Sequence, residues 1–109
     1  MSITFKKFQE MIEAAENYGA CEDALSVLKS FKSVEEFEDH KLASYWSYWY
    51  ASCIEERRFA EAEHLIAKTA TNSYLYAKFV LKRRFPQGEE VIKKDKFFWN
   101  NYKERFKIE

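Results

Sequence analysis

Side chains whose types and spacing could do chemistry are few in this 109-residue chain. Residues 61–64, Glu-Ala-Glu-His, contain one Glu-x-x-His. Di-iron helical bundles use that spacing, but they need a second copy and two further glutamates. Asp39 and His40 form a lone acidic–histidine pair, which we interpret as surface. The sequence has no glycine-rich phosphate loop, no His-Glu-x-x-His motif and no Ser-His-Asp arrangement to propose. We therefore predict a protein that is not an enzyme and holds no metal and no cofactor.

The two cysteines, Cys21 and Cys53, form no Cys-x-x-Cys motif and are too few for a disulfide-rich secreted scaffold. We predict that both are reduced, buried thiols. No apolar run approaches the roughly 20 residues that span a bilayer, and the first residues lack the apolar core of a signal peptide. We therefore expect a cytoplasmic protein without membrane association.

The elements that must position any site are helices. Two glycines and one proline leave little for hairpin turns, which argues against an all-β fold and against disorder. The length suits one domain. The predicted capping residues are Thr4, Ser33 (in a capping box with Glu36), Asn72 or Ser73, and Asp95, with Gly19 left-handed after the first helix. Apolar spacing then predicts an all-α domain of about eight short helices, near residues 5–18, 21–31, 34–39, 42–58, 59–68, 73–84, 87–94 and 96–106.

An internal repeat is the most informative pattern in the sequence. A shift of 26 residues places residues 48–68 on residues 74–94, and nine of the 21 aligned positions are identical. Each unit is predicted to be a helix, a tight turn at Arg-Arg-Phe and a shorter helix. Periods of this length are typical of stacked helical hairpins whose apolar faces need a neighbour. Tyr102 falls in register as a third copy, so we interpret the last helix as a truncated cap.

The repeat divides the single domain 1–109 into N-terminal helices (1–41), a first repeat (42–70), a second repeat (71–95) and a capping helix (96–109). The side chains that both copies of the repeat share have structural interpretations. A phenylalanine can wedge at the turn, a glutamate suits the positive end of the second helix, and a tyrosine hydroxyl can reach a glutamate or a backbone group. These residues are Phe59 and Phe85, Glu63 and Glu89, and Tyr50 and Tyr76.

The unit Tyr-x-Tyr-Ala-x3-Leu-x-x-Arg-Phe-Pro-x-Gly-Glu-x-x-Ile-x-x-Asp, here residues 74–95, resembles a helical repeat of small uncharacterised bacteriophage and bacterial proteins. Residues 18–25 also look similar to the opening of such proteins. The first copy departs from the unit, with Ala60 in place of proline and Ala62 in place of glycine. The resemblance implies an all-helical repeat and a phage or prophage origin, and it supplies no activity. By association, small phage proteins of this size often bind and inhibit a host or defence protein.

The formal net charge of zero hides an asymmetry. Residues 1–77 carry 8 basic and 13 acidic side chains, a net charge of −5, whereas residues 78–109 carry 10 basic and 5 acidic side chains, a net charge of +5. Four interpretations stay open: two solvated faces that attract each other, a partner docked at one pole, head-to-tail self-association, or phosphate contacts at the basic pole.

Aromatic residues concentrate in two places. Five rings between Tyr45 and Tyr50 sweep roughly 200° of a helix at about 100° per residue, which is wider than the stripe of a surface helix. Either all five are core, or Tyr48 or Tyr50 at the edges is exposed and suited to an interface. Basic residues also interleave with rings at 97–106. We interpret those rings as core beneath a solvated basic face, with phosphate and base contacts as the alternative.

These observations favour a non-enzymatic protein-binding module, which we predict to be a phage- or prophage-encoded inhibitor of a host or defence protein. The alternative is a nucleic-acid-binding protein acting through the basic C-terminal pole. Opposite poles also allow a homo-oligomer. The candidate partner-binding residues are Tyr48, Tyr50, Arg57, Arg58, Arg83, Arg84, Lys93 and Lys94.

Overall fold

A computed structural model describes residues 3–108. Across that range the chain forms helices joined by short linkers and contains no strand, which confirms the all-α prediction. Its eight α-helices are α1 (Phe5–Asn17), α2 (Glu22–Ser30), α3 (Val34–Asp39), α4 (Ala43–Trp49), α5 (Glu63–Ile66), α6 (Ala70–Leu75), α7 (Pro86–Lys93) and α8 (Lys96–Phe106).

Helices α4 and α6 both continue as π-helical segments, Tyr50–Glu55 and Tyr76–Leu81, and a 3₁₀ turn, Ala60–Ala62, leads into α5. Each π-helical segment ends at a residue in the left-handed region, Glu56 with φ 52° and Lys82 with φ 56°. A left-handed residue terminates a helix. The predicted helix ends near residues 58 and 84 were therefore wrong, because the last helical residues are Glu55 and Leu81, three residues earlier.

Local capping explains where several helices begin. Three predicted cap side chains each accept a backbone N–H three residues further on: Thr4, Ser33 and Asp95. Gly19 adopts φ 79° after α1, as predicted. The capping box differs in one detail, since the Glu36 carboxylate accepts from the N–H of Lys32 instead of that of Ser33.

Helix α6 begins earlier than predicted. The hydroxyl of Thr69 accepts the backbone N–H of Asn72 at 3.2 Å, so Thr69 is the cap and α6 starts at Ala70. Asn72 and Ser73, the predicted caps, are buried inside the helix. The Ser73 hydroxyl donates to the carbonyl of Ile66, and the Asn72 amide donates to the Ser44 hydroxyl. These side chains tie α6 to its neighbours.

The helices stack along one long axis, with extents of 44 × 25 × 23 Å. Helix α1 packs on α2 and on the first π-helical segment, α4 on α5 and α6, α6 on α7, and α7 on α8. The large fully buried side chains with rings or aliphatic groups come from the N-terminal helices through to the last one: Phe8, Phe37, Phe59, Leu65, Ile66, Tyr76, Ile92 and Tyr102. No helix within residues 3–108 is long and apolar enough to cross a membrane.

The aromatic run of α4 differs from both predicted alternatives. Tyr50 is only 4% exposed, and its ring packs 5.3 Å from that of Phe59. Tyr45 is instead the exposed ring, at 50%, and Tyr48 is half-buried. The reason is the side of α4 that packs into the core, which carries the small buried residues Ala43, Ser44 and Ser47. At about 100° per residue, Tyr45 lies nearly opposite that side and Tyr50 lies at its edge.

The cysteines also differ from prediction. Both are free thiols, but Cys21 is exposed and Cys53 is half-buried. Cys21 precedes the first residue of α2, where the chain turns at the surface. The prediction of two buried thiols was therefore wrong.

Candidate functional site

An open apolar groove of about 350 Å³ lies between α1, α2 and α4. Its walls come from Met11 and Ala15 of α1, Ala24 and Leu28 of α2, and Trp46 and Trp49 of α4. Tyr18, Cys21 and Tyr45 also line it, and all three are exposed. Concave apolar sites of this size are common places for a ligand or a partner's side chain.

Small side chains create the groove. Ala15, Ala20 and Ala24 leave open space beside the tight turn at Gly19, where larger residues would fill it. Ala20 closes that turn, because its N–H donates to the carbonyl of Ala15 at 3.0 Å. The apolar surface between α1, α2 and α4 therefore stays partly uncovered.

The two tryptophans of the groove are held in fixed positions. Trp46 stacks on His40 at a centroid distance of 5.3 Å and on Phe37 at 6.0 Å. Trp49 meets the edge of Tyr18 at 5.6 Å. The Tyr18 hydroxyl donates to the backbone carbonyl of Cys53 at 3.1 Å, which pins this exposed ring at the groove's rim. The groove is thus preorganised, which lowers the entropic cost of binding.

The surroundings of the groove are acidic. Glu16, Glu22 and Asp23 are exposed and adjoin residues that line it, and only Glu16 has an ion pair among the described residues, with Lys29 at 3.2 Å. An apolar site with a negative rim attracts a segment that combines apolar anchors with positive charge.

Away from the groove, a tyrosine joins two helical hairpins. The first hairpin consists of α4, its π-helical segment and α5, and the second consists of α6, its π-helical segment and α7. The Tyr76 hydroxyl donates to Glu63 Oε2 at 2.7 Å and accepts the backbone N–H of Phe59 at 2.9 Å. Arg58 donates through Nε and Nη2 to the two oxygens of Glu63, at 2.8 and 3.1 Å. Burial, and then the bond to Glu63, raise the pKa of Tyr76 well above its ordinary value of 10. The tyrosine of one hairpin therefore braces the turn of the preceding hairpin.

The same contacts recur 26 residues further on. The Tyr102 hydroxyl donates to Glu89 Oε2 at 2.6 Å and accepts the N–H of Phe85 at 2.8 Å, while Arg84 holds both oxygens of Glu89 at 2.8 and 2.9 Å. Burial and the Glu89 bond raise the pKa of Tyr102 to about 12. The Arg84 guanidinium lowers the pKa of Glu89. Tyr102 thus gives α8 the bracing role that Tyr76 has for the second hairpin.

These networks bear on the predicted roles of the repeat residues. Phe59 and Phe85 are buried at their turns, as predicted. Tyr76 does reach both a glutamate and a backbone group. Tyr50 belongs to no such network with a preceding unit; Lys7 lies over its ring at 5.5 Å, and burial, with a smaller effect of Glu55, raises the pKa of Tyr50. The spacing of the tyrosines is visible in the sequence. The sequence does not show that each tyrosine hydroxyl bonds to the glutamate of the preceding unit.

The candidate partner-binding residues are spread over the molecule. Tyr50 is buried, and neither it nor Tyr48 lines the groove. Arg57 pairs with Glu55 at 3.1 Å. Lys93 pairs with Glu90 at 3.5 Å, and Lys94 is exposed. The structure does bring together Arg58, Arg83 and Arg84, which line a second cavity. The apolar groove itself was missed, although the alanines around Gly19 were a usable indication.

An exposed aromatic strip runs along the second hairpin and α8. Phe79 is 54% exposed and Phe97 is 67% exposed, so the prediction that the rings of 97–106 are all core was wrong for Phe97. Phe97 contacts Phe98 at 5.1 Å, and Phe98 contacts Tyr74 at 5.7 Å. Lys78 lies over the rings of both Tyr74 and Phe79, at 5.7 and 5.2 Å. The sequence shows where the aromatic residues of this strip are, but their exposure depends on how α8 packs on α6 and α7.

The Glu-x-x-His segment has a simple environment. His64 Nε2 lies 3.3 Å from Glu38 Oε2. In the part of the chain that the structure describes, no three His, Cys, Asp or Glu side chains gather closely enough to hold a metal ion.

No protein-family model, curated protein or solved structure matches the chain. The resemblance of the repeat unit to phage and bacterial proteins therefore stays a prediction.

Proposed function

We propose that the protein is a binding module for another protein and that the apolar groove between α1, α2 and α4 is its binding site. The observation that carries this proposal is an open groove with two fixed tryptophans as walls and two exposed tyrosines, Tyr18 and Tyr45, at its rim. Tryptophan and tyrosine in a partly enclosed apolar site are typical of binding hot spots.

The groove suggests the chemistry of the partner. Its volume of about 350 Å³ accommodates one or two large apolar side chains. The exposed Glu22 and Asp23 beside it favour lysine or arginine next to those anchors. We infer that the partner presents a basic segment with a leucine-like or aromatic anchor, in a loop or an amphipathic helix.

The identity of the partner is a further step of the same proposal. The resemblance of residues 74–95 to phage and bacterial repeat proteins supports a bacterial host protein or a defence factor as the target. Inhibition by occlusion of the target's surface needs only binding, and so requires no catalytic group on this chain.

Comparative capture from a bacterial lysate tests the groove. Tyr45→Ala removes an exposed rim ring, and Ala24→Phe fills the groove from α2. Phe97→Ala is the matched control, since it removes another exposed ring, from α8, which packs on α6 and α7. We expect one stoichiometric protein with the wild type and the control, and at least tenfold less with both groove variants. Equal capture by the groove variants, or a loss confined to Phe97→Ala, would overturn the proposal.

A second candidate function has one specific observation in its favour, the exposed strip of Phe79, Phe97 and Lys78. Exposed rings beside cations suit the stacking of bases in single-stranded nucleic acid. Among the basic residues of the C-terminal pole, Arg84 also holds the carboxylate of Glu89.

Fluorescence anisotropy with a labelled oligothymidine at low and high salt tests this second candidate. Nucleic-acid binding predicts a salt-sensitive affinity that falls about tenfold with Phe97→Ala, as expected for the loss of one stacked base. No binding at low salt, or binding unchanged by Phe97→Ala, rejects it.

A further inference from the structure

A second cavity, of about 340 Å³, lies between the two hairpins and differs from the groove in its charge. Arg58 reaches it from the first hairpin, and Arg83 and Arg84 reach it from the second. Leu81, Phe85 and Pro86 give it an apolar side. Three guanidinium groups around one cavity repel one another, so an anion between them is favoured.

Two of these arginines are fixed before any ligand arrives. Arg58 and Arg84 each use Nε and Nη2 to hold both oxygens of a carboxylate, Glu63 and Glu89 respectively. A guanidinium group has five N–H donors, and a bidentate carboxylate contact uses two of them, so each arginine keeps three. Because the carboxylates hold the guanidinium planes, ordering these long side chains costs little on binding.

The third arginine is available. Within residues 3–108, Arg83 is exposed and makes no ion pair. One carboxylate, that of Glu63, also lines the cavity, but its oxygens are engaged by Arg58 and Tyr76. A second carboxylate, that of Glu89, is held by Arg84 at 2.8 and 2.9 Å, so the three positive charges face two negative charges and the net charge is +1.

We propose that this cavity binds a phosphorylated small molecule, with the phosphate between Arg58, Arg83 and Arg84 and the carbon part against Leu81 and Phe85. The net charge of +1, which is that of Arg83 once Arg58 and Arg84 are paired with carboxylates, attracts a phosphate monoester, which carries a charge of about −1.5 to −2 at neutral pH. Planar guanidinium groups are well suited to phosphate oxygens. The apolar side distinguishes such a ligand from inorganic phosphate alone, and this inference is independent of the groove.

Isothermal titration of the full chain with phenyl phosphate, and with phenol as its uncharged counterpart, tests the proposal. We expect phenyl phosphate to bind and phenol not to bind. Arg83→Gln, which breaks no ion pair within residues 3–108, should weaken binding at least tenfold, as expected for the loss of hydrogen bonds between charged groups. Lys94→Gln makes the same change of charge on a residue that does not line the cavity, and it should leave binding within about twofold.

Four outcomes would overturn the proposal. They are no binding of phenyl phosphate at millimolar concentration, equal binding of phenol, unchanged binding by Arg83→Gln, and equal weakening by Lys94→Gln. A parallel titration with an oligonucleotide provides a fifth outcome that would overturn the proposal. If it binds more tightly and both variants weaken it alike, the basic surface acts as a distributed nucleic-acid site and not as a built phosphate cavity.

Discussion

Replacing Tyr76 with phenylalanine tests how the stacked hairpins are held together. The substitution keeps the ring, so it opens no cavity, and removes only the hydroxyl that joins Glu63 to the N–H of Phe59. Tyr76 is 0% exposed, so water does not replace that hydroxyl. The Glu63 carboxylate loses a donor, and a buried N–H at the turn loses its acceptor.

The magnitude follows from these two losses. A hydrogen bond to a charged group contributes about 1.5–3 kcal/mol, and an orphaned buried polar group costs about 1–3 kcal/mol. Because both losses belong to one hydroxyl, we expect Tyr76→Phe to lower the free energy of unfolding by about 3 kcal/mol. For a chain of this size that loss lowers the Tm by roughly 12 °C. Tyr102→Phe should cost less, since the side chain of Glu89 is 12% exposed and that of Glu63 is 7% exposed.

Urea unfolding followed by tryptophan fluorescence measures the loss. The control is Tyr74→Phe on the same helix, because the hydroxyl of Tyr74 makes no hydrogen bond within residues 3–108 although its ring is buried. We expect that control to stay within about 0.5 kcal/mol of the wild type. A double-mutant cycle with Glu63→Gln should then show coupling of at least 1 kcal/mol. A loss for Tyr76→Phe no larger than that of Tyr74→Phe would refute the reasoning.

Three further predictions concern stability. Gly88→Ala should lower it by about 1–3 kcal/mol, since a Cβ there would lie 2.7 Å from Ser73 Cβ; an unchanged urea midpoint contradicts this. Lys82→Gly should raise it by up to about 1 kcal/mol, because Lys82 is left-handed, and a lower midpoint contradicts this. Arg84 lowers the pKa of Glu89, so the ionised Glu89 stabilises the fold above its ordinary pKa of 4.5. This stabilisation is lost as the pH falls below 4.5. In Glu89→Gln the free energy of unfolding should therefore depend less on pH below 4.5.

Local chemistry made much of the fold predictable. A helix cap needs only a side-chain oxygen that accepts the backbone N–H three residues further on. Such caps are Thr4, Ser33 and Asp95. Gly19 was predictable from its freedom to adopt positive φ. These contacts depend on neighbours in sequence and on little else.

Features set by packing were not predictable. Each π-helical segment is followed by a left-handed residue, Glu56 or Lys82, and these residue types give no indication of a left-handed position. Tyr45 is exposed and Tyr50 is buried because the side of α4 that packs into the core carries Ala43, Ser44 and Ser47. The groove requires α1, α2 and α4 to meet, and the arginine cavity requires one hairpin to lie on the other. Neither arrangement can be derived from spacing within one helix.

Site-specific photo-cross-linking tests the groove most directly. Tyr45 at the groove rim and Phe97 on α8, both exposed, are each replaced with p-benzoylphenylalanine, and the two proteins are irradiated in the same bacterial lysate. The proposed function predicts that the probe at position 45 cross-links one captured protein and that the probe at position 97 does not. Cross-linking of that protein from position 97 alone would contradict the claim that the groove is the binding site.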